Sequence, residues 1–319
     1  MKQIFIFSKT PTNPNNQSAE YTMYMYVKQL GINVILIDKS FTTIYKDKIG
    51  YKVYSSPLEK FVYINENDVF IIRRPALSTN NAKHVSRYIN NIKNILNLSF
   101  YNPIDLLGFT NDKYQNYMFF KELNIPTPKT IYIPKVNLAT TDSRLLHFAE
   151  QIKYPLILKS LTGSLGNDVL KVFNDEQLKS IAEILYRKTG PFIMQENIDS
   201  NYDVRIFTVG DEVIGGERRN RAGIDFRTNV SKGAAVERYD PTKKELIYIQ
   251  SMITSLQTKF GDSIFTIGFD FIKDSNDNTH CLEINGSPGV KGISEVLGFN
   301  VANNAIDYVL RKEGFIQNI

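Results

Sequence analysis

Ile264-Phe-Thr-Ile-Gly-Phe-Asp270-Phe-Ile272 and Thr279-His-Cys-Leu-Glu283-Ile-Asn285, two segments near the C-terminus, decide how this chain is read. Both are short apolar runs of strand composition. Lys273-Asp-Ser-Asn-Asp-Asn278 between them has strong turn composition. A hairpin centred between Asn276 and Asp277 sets Asp270 directly opposite Glu283. Directly opposed residues share a face, with β-carbons about 4.5–5.5 Å apart. Asn285, two residues beyond Glu283, points to that face as well, because side chains alternate along a strand.

Two carboxylates this close repel by roughly 4 kcal/mol at about 4 Å with an effective dielectric near 20. Either one is protonated or a cation sits between them. Three hard oxygen donors, Asp270, Glu283 and Asn285, with no His or Cys, favour magnesium or manganese over zinc. The bland alternative is a solvated hairpin with scattered acids. The long apolar flanks argue against it, since such strands must pack against something.

Upstream, Leu156-Ile-Leu-Lys159 runs into Ser160-Leu-Thr-Gly163-Ser164-Leu-Gly166. A lysine leaving an apolar strand into a glycine-containing loop can meet phosphates, with loop N–H groups adding donors. No Gly-Lys-Ser/Thr follows, so this is not a Walker A loop. Tyr202-Asp203-Val-Arg205-Ile-Phe-Thr-Val, a Gly210-Asp211 turn and Glu212 to Arg219 read as another hairpin. Pairing about that turn places Asp203 opposite Arg218, where a surface ion pair alone is worth little. Asp225-Phe-Arg227-Thr228-Asn229 follows. Arg227, Arg218 and Arg219 bring fixed positive charge toward the same strands, and an arginine fork suits carboxylate and phosphate oxygens.

The first hundred residues read as a small α/β unit. Strands over 4–7 and 33–37 flank a helix over 18–30, which Gly31 ends. A strand over 68–72 follows, with Arg73-Arg74-Pro75 at its carboxyl end, where open parallel sheets bind ligands. Tyr101-Asn-Pro103 reads as a linker. A helix over 112–123 comes next, then strands over 130–133 and 156–159 with a helix between them. Asn174, with Gln177 three residues on, caps a further helix. The pattern from 193 to 285 is mostly strand and hairpin, and a helix over 300–312 closes the chain.

Composition narrows the classes. A length of 319 residues suits two or three packed subdomains, and 42% hydrophobic with 22% charged residues is ordinary globular composition. The net charge of +5 is spread along the chain, unlike a nucleic-acid footprint. A single cysteine, Cys281, excludes a disulfide framework and a multi-Cys zinc site. It reads as a buried structural thiol rather than a nucleophile. The opening MKQIFIF is too short for a signal peptide, and no run reaches membrane length. The cytoplasm is the expected location, with no membrane or nucleic-acid partner.

Taken in order, NDKYQNY, YPLILKSLTGSLGNDV, MQENI, DVRIFTVGDEVIGGERR, DFRTNVSKGA, GFDFI and CLEINGSPGVKGI resemble the ATP-grasp superfamily, and within it the RimK-type carboxylate–amine ligases. The likeness runs from about Tyr101 to Lys312. The resemblance implies an α/β fold: an N-terminal Rossmann-like domain over 1–103, a central ATP-grasp subdomain with the glycine loop over 104–195, and a C-terminal subdomain with the metal site over 196–319. The two subdomains would sandwich ATP. It further implies that Lys113 and Lys159 contact phosphates under a loop containing Gly163, Ser164 and Gly166. Gln195, Glu196, Asn197 and Ile198 would meet adenine, and Asp203 would lie near the ribose. Arg227, Thr228 and Asn229 would stand beside the reacting phosphate. Asp270, Glu283 and Asn285 match the family's magnesium ligands, for two ions of magnesium or manganese.

By the same resemblance Lys159, Arg227 and Arg218 are expected to be catalytic. Arg73, Arg218, Arg219, Asn229, Ser287 and Gly289 are expected at the substrate. The implied reaction moves the γ-phosphoryl of ATP to a carboxylate, and an amine then displaces phosphate to form an amide. The implied partners are a glutamate-like amino acid and the C-terminus of a protein or peptide, in a dimeric or tetrameric enzyme. The segment between the hinge and Asp203 is short for the family, and Gly223-Ile224 precede Asp225 where a charged spacer is commoner. Two other readings compete. A leader-guided peptide macrocyclase usually carries Asp-Trp-Arg, against Asp225-Phe-Arg227 here. A non-catalytic nucleotide sensor tends to lose ligands that this chain retains.

Overall fold

A computed structural model of the chain describes residues 2–8, 18–38, 43–73, 88, 90–134, 142–163, 168–221 and 236–317. The expected site residues Ser164, Gly166, Arg227, Thr228 and Asn229, together with Arg74, lie outside the described residues.

The N-terminal part begins with β1 (Ile4–Ser8), α1 (Ala19–Gln29) and β2 (Val34–Asp38). Ser18 starts α1 because its hydroxyl accepts the Tyr21 N–H at 3.2 Å, satisfying one orphan donor of the first turn. The strands β3 (Ile44–Lys46), β4 (Tyr51–Ser55) and β5 (Lys60–Tyr63) form a separate antiparallel sheet that the sequence pattern does not announce. With β6 (Val69–Ile71) and β7 (Ser99–Tyr101), β1 and β2 make a parallel sheet in the order β2-β1-β6-β7. Burial on both faces explains the unbroken apolar runs of these strands.

The segment 101–103 is a buried joint rather than a linker. Tyr101 is the last residue of β7, and Asn102 is fully buried. The Asn102 amide donates to Thr266 O at 3.1 Å and Gly286 O at 2.7 Å, and its oxygen accepts the Phe265 N–H. One side chain thus ties the parallel sheet to the strands that carry Asp270 and Asn285.

After α2 (Ile104–Thr110) and α3 (Lys113–Glu122), a second sheet runs in the order β10-β9-β11-β8. It consists of β8 (Thr130–Ile133), β9 (Leu156–Ser160), β10 (Val169–Val172) and β11 (Phe192–Glu196). The helices α4 (Asp142–Ile152) and α5 (Asp175–Thr189) cover it, burying Leu145, Ala149, Leu178, Ala182 and Leu185 against Leu156, Leu158 and Met194. Asn174 caps α5 by accepting the Gln177 N–H at 3.0 Å, while the Gln177 side chain reaches back to the Phe173 N–H.

The third sheet has the order β14-β13-β12-β15-β16, all antiparallel. Its strands are β12 (Tyr202–Val209), β13 (Glu212–Asn220), β14 (Val236–Tyr239), β15 (Thr266–Lys273) and β16 (Thr279–Asn285). Between β14 and β15 lies α6 (Lys243–Phe260), an 18-residue helix where the sequence pattern led us to expect strands. The capping box of Thr242 and Glu245 and the buried stripe Ile249, Met252, Ile253 and Leu256 are its signals. One face of the sheet, with Val204, Ile206, Ile267, Phe269, Phe271, Cys281 and Ile284, packs on α3 and α6. Each fully buried aliphatic or Phe side chain contributes about 1.5–3 kcal/mol, which fixes which face turns away. Beyond β16 come α7 (Lys291–Leu297) and α8 (Val301–Lys312). α8 returns to the N-terminal sheet and buries Ala302, Ala305, Ile306 and Val309 against Ile4, Ile6, Met23 and Val27.

Candidate functional site

The face of the third sheet opposite its apolar core carries charge. Asp270 pairs directly with Glu283, as the hairpin reading requires. The route differs from the simple turn. The ladder runs Lys273↔Thr279 and Phe271↔Cys281, which centres the turn on Asn276, and a bulge between Asp270 and Phe271 restores the Glu283 pairing. That bulge has a consequence for chemistry: it lets Cys281 face the core while Glu283, two residues on, faces the charged side.

A second bulge corrects the β12–β13 register. Thr208 pairs with Val213 but Phe207 pairs with Gly215, so Asp203 meets Arg219 rather than Arg218. Arg219 Nε donates to Asp203 Oδ1 at 2.6 Å. Arg218 pairs with Val204, stacks over the Tyr202 ring at 4.0 Å and donates to Asn220 Oδ1. By strand alternation it shares the face of Val204 rather than that of Asp270.

The cation beside Asp270 is an arginine that the sequence reading passed over. Arg205 Nε donates to Asp270 Oδ1 at 2.6 Å and Nη2 to Oδ2 at 2.5 Å, and Arg219 Nη2 adds a contact to Oδ2 at 3.2 Å. Burial by itself would raise the Asp270 pKa. The two guanidiniums outweigh it and hold the carboxyl well below the usual carboxylate range. Arg205 Nη2 also stands 3.9 Å from Glu283 Oε1. Glu217 on β13, directly opposite Arg205, is 3% exposed, and its Oε2 has no hydrogen-bond partner among the described residues. Burial raises its pKa against the pull of Arg205 and Arg219. Alternation was the available signal: Arg205 follows Asp203 by two residues, and Glu217 precedes Arg219 by two.

Lys159 comes from the second sheet. Its ammonium donates to Gln195 Oε1 at 2.7 Å, and the Gln195 amide donates to Thr130 at 2.9 Å. Burial pushes its pKa down to about 8, with Lys113 acting in the same direction and Glu283, Asp270 and Asp203 opposing. The second sheet therefore presents Lys159 toward the acidic face of the third. Lys113 donates to Gly163 O at 3.2 Å, at the start of the glycine loop. Glu196 accepts the Lys129 N–H at 3.1 Å, and Asn197 and Ile198, half-buried, continue from the end of β11. Asn285 Oδ1 accepts the Ser287 N–H at 3.0 Å. Arg73 is buried and donates to Pro288 O, so it holds the segment containing Ser287 and the exposed Gly289 against the parallel sheet.

Among the described residues no group of three or more His, Cys, Asp and Glu comes together as a metal cage. The candidate donors are two carboxylates and the Asn285 amide. Their chemistry fits a hard divalent cation, and Glu283, with its side chain 36% exposed, has an open approach.

Residues 110–309 match the RimK-like ATP-grasp domain. The chain belongs to that family. It is 26% identical over 256 residues to the tetrahydromethanopterin:α-L-glutamate ligase of Methanocaldococcus jannaschii, covering 78% of this chain and 81% of that protein. It is 28% identical over 270 residues to the α-aminoadipate–LysW ligase LysX of Saccharolobus solfataricus, covering 80% and 90%. The macrocyclase MdnC of Microcystis aeruginosa, solved with its precursor peptide MdnA, superposes with a TM-score of 0.68 at 16% identity over 97% of this chain and 99% of that one, a likeness of fold. As an ATP-grasp carboxylate–amine ligase the protein uses ATP and magnesium. No helix among the described residues is long and apolar enough to cross a membrane.

Proposed function

We propose that this ATP-grasp ligase adds an amino acid, glutamate foremost, to the C-terminus of a protein or short peptide. The observation that carries the proposal is the opposed pair Asp270 and Glu283 with Asn285 on one face and Lys159 reaching toward them. The named relatives, a glutamate ligase and an aminoadipate ligase, support the choice of an acidic amino acid.

In this reading Asp270, Glu283 and Asn285 hold magnesium, as two ions. When bound, the metal neutralises charge on the ATP phosphates. Lys159 and Lys113 meet the phosphates beneath the loop containing Gly163, Ser164 and Gly166. Residues Gln195 to Ile198 line the adenine, Asp203 the ribose, and Arg227, Thr228 and Asn229 the reacting phosphoryl group. Closure of the glycine loop keeps water from the acyl-phosphate until an amine attacks. Arg219, Ser287 and Gly289 face the substrate, with Arg73 fixing their segment. A dimer or tetramer working in the cytoplasm completes the proposal.

The test is a panel of ATP, magnesium, each amino acid and acidic peptides, read by phosphate release and peptide mass. Amino-acid-dependent phosphate release with a matching mass gain supports the proposal. Phosphate release with a peptide alone, accompanied by loss of water from its mass, overturns it in favour of ring closure.

A further inference from the structure

We infer that Glu217 is a positioning residue that accepts the Arg205 guanidinium when Asp270 takes up a divalent cation. The inference rests on the magnesium role proposed for Asp270 and Glu283.

Arg205 lies on the middle strand of three. Asp270 on β15 is directly opposite on one side and Glu217 on β13 on the other. Directly opposed positions bring both carboxylates within reach of one side chain of this length. In the structure the guanidinium bonds Asp270 through both Nε and Nη2. A cation shared by Asp270 and Glu283 needs the same lone pairs and repels the same positive charge. Nη2, 3.9 Å from Glu283, also occupies the space between the two ligands. The guanidinium must therefore move when the cation arrives.

Arg219 gives up only its longer Nη2 contact to Asp270 at 3.2 Å and keeps its principal partner, because its Nε is held by Asp203 at 2.6 Å. Glu217 is the acceptor left for Arg205. It is 3% exposed, and Oε2 has no hydrogen-bond partner among the described residues. A buried carboxylate oxygen without a donor is costly, so its presence calls for a state in which a donor reaches it. Gly292 leaves room for that oxygen: a β-carbon there would stand 2.9 Å from Oε2.

The experiment titrates the full chain with manganous ion in the presence of ADP, read by the electron paramagnetic resonance of free Mn2+. Wild type, Glu217→Gln, Glu217→Asp and Glu283→Gln are compared, with urea unfolding of each in the absence of metal. We expect Glu217→Gln to weaken Mn2+ binding by at least about tenfold, the scale of losses when a ligand's supporting partner is removed. Its metal-free stability should be little changed, because Oε2 gives up no hydrogen bond among the described residues. Glu217→Asp should recover part of the affinity. Wild-type Mn2+ affinity in Glu217→Gln, with binding lost in Glu283→Gln, overturns the role of Glu217 alone. A metal-free loss of stability in Glu217→Gln without weaker Mn2+ binding overturns it too, in favour of a structural charge. Equal affinity in wild type and Glu283→Gln instead removes the metal reading on which the inference rests.

Discussion

Arg205 and Asp270 are directly opposed on neighbouring strands, and the guanidinium binds both carboxylate oxygens from a site that is almost wholly buried. The repulsion expected between Asp270 and Glu283 is thus relieved in the polypeptide itself before any metal is considered. Arg205→Met leaves Asp270 with the longer Arg219 contact only. Breaking one side of a buried pair costs about 3–5 kcal/mol, and we expect urea unfolding to report a loss of that order. Arg205→Lys should not restore it, since a lysine cannot supply two parallel donors.

Asn116 performs a similar task from a helix. Its amide donates to Phe109 O at 3.0 Å and Asp112 O at 2.7 Å, and its oxygen accepts the Ile284 N–H at 2.6 Å, next to Glu283. Asn116→Ala takes the acceptor from the buried Ile284 N–H, while Asp112 O and Phe109 O still accept from the backbone N–H groups of residues 116 and 112. We expect a cost of about 1–3 kcal/mol in unfolding experiments, the penalty for one unsatisfied buried group. A higher magnesium requirement for ATP turnover should accompany it.

The joint between the terminal helix and the parallel sheet is pH-dependent. Glu313 accepts from Lys2 at 2.5 Å and from the Tyr101 hydroxyl at 2.7 Å. Burial would raise its pKa, but Lys2 and Tyr101 together lower it. A carboxyl with a depressed folded-state pKa stabilises the protein above its unfolded value, near 4.3 for Glu, and loses that contribution as pH falls through the folded value. Wild type should exceed Glu313→Gln by about 1.5–3 kcal/mol at neutral pH, the worth of a charge-assisted bond. The gap should narrow as pH falls below about 4.3 and close once pH has passed the lowered folded-state value, where both states are protonated. A constant gap from neutral to acid pH would contradict the assignment.

The turn after β12 is restricted by a ring. Gly210 has φ +61°, and a β-carbon there would lie 2.5 Å from the Tyr308 ring. Gly210→Ala should cost about 1–2 kcal/mol for the left-handed backbone and about 1–3 kcal/mol for overpacking. Thermal melting of Gly210→Ala, with and without Tyr308→Ala, separates the two parts.

Much of this site is legible in the sequence because strand alternation and turn composition act over short distances. The Asp270–Glu283 pairing is legible from turn composition, although a bulge beside Asp270 offsets a turn centred on Asn276, and Asn174 with Gln177 gives the start of α5. The pairing of Asp203 is not legible, since it depends on a bulge near Gly215 that turn residues do not announce. Arg205 was hidden for another reason: its partner lies 65 residues away on a strand that only the folded sheet places beside it. The helix α6 was lost among strands because its apolar stripe contains β-branched Ile249 and Ile253, which read equally well as strand.

The same geometry selects the decisive variant. Asp270→Asn removes a charge that two buried arginines require, so loss of activity there could follow from unfolding. Glu283 is half-buried and engages Arg205 only at 3.9 Å, so Glu283→Gln tests the metal site with little structural cost. The measurement is ADP release by wild type and Glu283→Gln at saturating ATP and magnesium, beside thermal melting of both without nucleotide. The account predicts equal melting temperatures and a rate lower by at least about a hundredfold, the upper scale for a disabled metal site. A wild-type rate of ADP release from folded Glu283→Gln would contradict it.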